Sequence, residues 1–141
     1  MHVNELTRTI INAAMEVHSA LGPGLLESAY EACLVYELRK QGMQVENQVV
    51  LPVIYKEVRV DVGYRLDLLI EDTVIVELKC VEDFASIHTA QLLSYLKLSD
   101  KPVGLLINFH VTHLRDGIKR IVNGTEWKHT FVTSVPSVVK N

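Results

Sequence analysis

The chain has 141 residues, 48% hydrophobic and 22% charged, with 7 Gly and 4 Pro. That is enough for one packed core of ordinary domain size, roughly 100–150 residues, and it excludes disordered, collagen-like and low-complexity chains. A formal charge of -3 argues against a protein that grips nucleic acid mainly through its phosphates, because such a surface carries a positive excess.

The longest apolar stretches, such as Val49 to Ile54, fall far short of the ~20 residues of a membrane helix. The start MHVNELTRT lacks the basic flank and apolar segment of an export signal. Cys33 and Cys80 have neither CxxC spacing nor a secreted context, so they read as reduced, small core residues. A soluble, cytoplasmic, single-domain protein over 1–141 is expected, with no membrane partner. The stretch 124–141 is expected to be peripheral, its Trp127 and Phe131 covering core, closing a sheet edge or meeting a second subunit.

In residues 4–21, apolar side chains recur at Leu6, Ile10, Ala13, Ala14, Val17 and Leu21. This spacing predicts a helix opened by an Asn4 cap and closed by Gly22-Pro23. A second helix is predicted over about 25–41, with Tyr30, Leu34 and Leu38 on one face and Gly42 as its stop. From Val45 onward β-branched residues dominate. QVENQVVLPVIY, a Lys56-Glu57 turn, VRVDVGYRLDLLI and TVIVELKC read as three strands, the last two joined as a hairpin across Glu71 to Thr73. Helical spacing returns over 87–98, an apolar strand is predicted over 103–109, and a short final strand over 118–122. The fold class is α/β (α+β): a mixed central sheet flanked by helices, two of which come first.

Three acids break the apolar pattern. Asp67 lies inside LDLLI, and Glu77 and Lys79 lie inside VIVELKC, runs as apolar as strands covered on both faces. Residues two apart on a strand share a face, so Glu77 and Lys79 point the same way. A tight hairpin brings Asp67 beside Glu77. Glu27 stands three, seven and eleven residues before Tyr30, Leu34 and Leu38, on the inward stripe of its helix. Two unit charges ~4 Å apart repel by about 4 kcal/mol at an effective dielectric near 20, so a cluster of these acids needs a cation or protonation. Oxygen-only ligands suit Mg²⁺ or Mn²⁺, whereas zinc recruits His or Cys. Taken singly, each residue has a plainer account. Glu77 and Lys79 fit a solvated strand face, Asp67 a paired structural acid, and Glu27 a first-turn glutamate favoured by the helix dipole. His110 and His113 have no Cys partner and no HExxH spacing, and neither GxxxxGK[ST], GxGxxG nor a nucleophile elbow is present.

The combination resembles a known family. Gly24-Leu25-Leu26-Glu27-Ser28-Ala29-Tyr30, Asp67 followed by Glu77-Leu78-Lys79, and Gln91-Leu-Leu-Ser-Tyr95 are similar to the motifs of the GxxExxY proteins, a small branch of the PD-(D/E)xK nuclease superfamily. The similarity covers about 5–123, with Leu66 in place of the motif's proline. The resemblance implies a restriction-endonuclease-like domain that hydrolyses phosphodiester bonds of DNA, ahead of RNA, by metal-activated water. Asp67 and Glu77 would hold Mg²⁺ or Mn²⁺, and Glu27 would add a helix-borne ligand directly or through water. Lys79 would orient the attacking water or stabilise charge on the phosphate. Gln91 and Tyr95 would line the cleft, and His88, three residues before Gln91, is placed to join them.

Without the three acids the rest of the chain is neutral. The cations expected at phosphates are Arg115, Lys119 and Arg120, together with Lys97 and Lys101. A homodimer or another protein partner would supply further binding surface. The competing class is a non-catalytic nucleic-acid-binding or protein-assembly module that retains the nuclease scaffold. A weaker third reading is a phosphoester substrate other than nucleic acid.

Overall fold

The computed structural model describes residues 1–124. Trp127 and Phe131 therefore lie outside the described residues. The chain runs α1 (Val3–Leu21), α2 (Glu27–Lys40), β1 (Val45–Val50), β2 (Val53–Tyr55), β3 (Val58–Val60), β4 (Arg65–Ile70), β5 (Val74–Lys79), α3 (Ser86–Ser99), β6 (Val103–Asn108) and β7 (Ile118–Val122), with a 3-10 turn at Leu114–Gly117 before β7. A five-stranded mixed sheet has the order β1-β4-β5-β6-β7. Strand β5 runs parallel to β6, to which α3 connects it, and the other neighbours are antiparallel.

Each face of this sheet has its own apolar layer. On one side Leu6, Ile10, Ala14 and Val17 of α1 and Tyr30, Leu34 and Leu38 of α2 pack on Leu68, Ile70, Val76, Leu78, Leu105 and Ile107. Cys33 and Cys80 are free thiols, only half-buried, at the margin of this layer. On the other side, Leu92, Tyr95 and Leu96 of α3 pack on Leu66, Leu69, Ile75, Leu106 and Ile121. Strand β6 is buried along its whole length, as a central strand covered on both faces must be. Gly104 lets α3 come close: a Cβ there would stand 2.9 Å from Leu92 Cδ1.

The helices and the final strand follow the sequence pattern, with corrections at their edges. The cap of α1 is His2, whose Nδ1 accepts the Asn4 N–H at 3.0 Å, and Asn4 instead accepts Arg120 Nη2 at 2.9 Å. Helix α2 starts at Glu27 because Leu26 is still extended, with φ -74 and ψ 153. Two of the three strands expected from Val45 onward are interrupted. Pro52, which lacks an N–H, separates β1 from β2, and a segment containing Gly63 at φ +86 separates β3 from β4. The result is a two-stranded arm, β2 with β3, outside the main sheet. Its base is closed by Leu51 N–H donating to Tyr64 O at 2.9 Å. The β4–β5 hairpin is tight, as expected, with φ +52 and +53 at Glu71 and Asp72 and Thr73 N–H returning to Ile70 O at 3.0 Å.

Candidate active site

Strands β4 and β5 pair in register from their turn outward, Ile70 with Val74, Leu69 with Ile75 and Leu68 with Val76. Beyond the Leu68–Val76 pair this ladder stops. Continuing the register sets Asp67 opposite Glu77, and here side chains take over the main-chain bonding. The Asp67 N–H donates to Glu77 Oε2 at 2.9 Å, and the Leu78 N–H donates to Asp67 Oδ2 at 2.8 Å. Each carboxylate thus satisfies a backbone donor left by the opened ladder. On the other side of Asp67, Gln48 occupies the opposite position of the β1–β4 register, between the pairs Asn47–Leu68 and Val49–Leu66. Its φ is +53, and its amide reaches Glu31 Oε1 at 2.9 Å and Asp67 Oδ1 at 3.5 Å.

Glu77 is only 5% exposed. Burial, and then the charge of Asp67, push its carboxyl up to about 8, against the smaller opposing pull of the Asp67 N–H and the Lys79 charge. The acid is therefore largely protonated at neutral pH unless a cation takes the proton's place. Lys79 follows two residues later on the same face. It is half-buried and makes no salt bridge to a described residue. Tyr95 of α3 packs with Leu66 and Leu69 of β4; burial first, then Glu77, Tyr64 and Asp67, raise its hydroxyl above the usual tyrosine range.

Glu27 approaches from the opposite layer. It is exposed, not inward-facing as its stripe suggests, and its Oε2 accepts the Cys80 N–H at 3.2 Å, one residue past Lys79. The surrounding motif has a structural account. Tyr30 stacks on Phe109 with centroids 4.4 Å apart; its hydroxyl donates to Gly22 O at 2.5 Å and accepts the Leu25 N–H at 3.1 Å. Gly24, at φ +106, makes the turn that side chains resist. The tyrosine anchors the loop and the glycine bends it, so that Glu27 is delivered to the end of β5.

The remaining expected residues divide. Gln91 is half-buried on α3, one helical turn before Tyr95. His88 is engaged in its own helix start, Nδ1 accepting the Ala85 N–H at 3.0 Å. Among the expected phosphate contacts, Lys101 pairs with Asp72 at 2.9 Å, Lys119 donates to Thr89 Oγ1 at 3.0 Å and Arg120 is tied to Asn4. Those three cations already have protein partners, while Lys97 and Arg115 are exposed. Sequence reasoning missed Asn108, which is 2% exposed. Its Oδ1 accepts the Val81 N–H at 3.1 Å and the His110 N–H at 3.0 Å, while its Nδ2 donates to Val81 O at 2.8 Å. This tether fixes the chain just beyond Lys79, and the polar residue ending the apolar run VGLLIN is the signal that marks it.

Among the described residues, no three of His, Cys, Asp and Glu are grouped so as to hold an ion. The site offers two interlocked carboxylates, an oxygen-only donor set. That fits Mg²⁺ or Mn²⁺, since Mg²⁺ is commonly held through one or two carboxylates and keeps several waters. No helix of the described residues is long and apolar enough to cross a membrane.

No curated protein and no solved structure matches the chain. A family model described as the PD-(D/E)XK nuclease superfamily matches residues 4–121. That match takes in both N-terminal helices, the opened hairpin and α3, and the chain belongs to the PD-(D/E)XK nuclease superfamily.

Proposed function

We propose that the protein is a divalent-metal-dependent nuclease of the GxxExxY branch that hydrolyses phosphodiester bonds, with DNA as the first substrate and RNA the second to test. The observation that carries this reading is the Asp67–Glu77 pair at the opened ladder, with Glu77 pushed up to about 8. Two acids held this close in a buried position retain a proton or take a cation. A hard divalent ion bound there supplies Lewis-acid polarisation of a phosphate oxygen. Asp67 and Glu77 are its ligands, and Glu27 acts from the Cys80 end, through water. Lys79 presents fixed positive charge where negative charge develops on the phosphate. Gln91 and Tyr95 line the substrate side.

The test is to incubate the protein with single- and double-stranded DNA and RNA, with Mg²⁺ or Mn²⁺, beside Asp67→Asn. Cutting by the wild type that Asp67→Asn loses is the expected result. Cation binding without cleavage of any substrate would instead assign the chain to a non-catalytic module on the same scaffold.

A further inference from the structure

Tyr64 stands just before β4, three residues ahead of Asp67, and no motif claims it. It is 43% exposed, yet it is not loose. Its carbonyl is held by the Leu51 N–H at 2.9 Å, and its ring leans on Tyr95, with centroids 6.0 Å apart and planes at 54°. Tyr95 in turn packs with Leu66 and Leu69, the apolar residues that flank Asp67 on β4. An aromatic ring is thus held at the edge of the two-acid site, braced on one side and open to solvent.

The chain carries -3 overall; of the cations expected at phosphates, Lys101 is paired with Asp72, Lys119 and Arg120 are held by the neutral Thr89 and Asn4, and Lys97 and Arg115 are exposed. Counterion release is therefore a weak source of affinity here. Stacking on an aromatic face is an alternative source that needs no positive excess, and it is open only to bases that have left the duplex stack.

We infer that Tyr64 is a stacking platform for an unpaired base beside the scissile phosphate, which makes single-stranded nucleic acid the substrate class. This rests on the nuclease reading above. The test measures binding of a fluorescein-labelled single strand, and of its duplex, to the full chain in EDTA, together with cleavage in Mn²⁺. Tyr64→Ala should weaken single-strand binding between about 5-fold and 150-fold, the range to which ~1–3 kcal/mol per stacked base converts. It should raise KM more than it lowers kcat, and leave the salt dependence of binding unchanged. Tyr64→Phe and Tyr64→Trp should stay within about 2-fold of wild type, since the ring face is what matters.

Equal loss in Tyr64→Phe and Tyr64→Ala, or equal loss on duplex and single strand, would overturn the inference. So would cleavage and binding that Tyr64→Ala leaves unaltered, with the nuclease reading intact. A wild type that neither binds nor cuts any nucleic acid would overturn both.

Discussion

Glu77 makes folding stability depend on pH in a direction opposite to that of a salt-bridged carboxylate. Its carboxyl ionises near 4.5 when unperturbed and is pushed up to about 8 in the fold, by burial first and by Asp67 second. Below 4.5 both folded and unfolded chains hold the proton, and the group costs nothing. Between the two values the unfolded chain releases it while the folded chain does not, so stability falls as pH rises, by about 1.4 kcal/mol per pH unit. Above about 8 the loss is complete, on the order of 5 kcal/mol, a large share of the ~5–15 kcal/mol that holds a typical domain together. Glu77→Gln keeps an oxygen for the Asp67 N–H and removes the titration. Urea unfolding in EDTA at about pH 5 and about pH 8.5 should show the wild type losing several kcal/mol relative to Glu77→Gln across that interval. Adding Mg²⁺ or Mn²⁺ at the higher pH should restore part of it in the wild type alone, because an ion that binds only the native state stabilises it. Parallel pH dependence in the two proteins would refute the reasoning.

Lys79→Ala should keep the fold, as judged by thermal melting, and lose about 10²–10³-fold in cleavage rate, the usual cost of removing one electrostatic stabiliser; unchanged turnover would take Lys79 out of the mechanism. Asn108→Ala strips the Val81 N–H and C=O and the His110 N–H of their partner and should cost about 1–3 kcal/mol in a urea midpoint measurement.

The helices α1 and α2, the β4–β5 hairpin and strand β7 are legible in the sequence because hydrophobic period and turn chemistry are local properties. The acids Asp67 and Glu77 stand out for the same reason: a charge inside a run as apolar as LDLLI or VIVELKC contradicts its surroundings. Helical offsets place Glu27 on the inward stripe, but they do not say where that stripe ends. At the first position of α2 the side chain escapes the core and meets the Cys80 N–H instead. Interruptions at Pro52 and Gly63 turn two predicted strands into four, a matter of how the chain leaves the main sheet rather than of propensity. Only the tertiary structure decides that the ladder opens at Asp67 and Glu77, that Asn108 holds Val81, and that Tyr64 leans on Tyr95. The first depends on side chains replacing main-chain bonds within the hairpin, and the other two on contacts between residues far apart in the chain; a local pattern encodes neither.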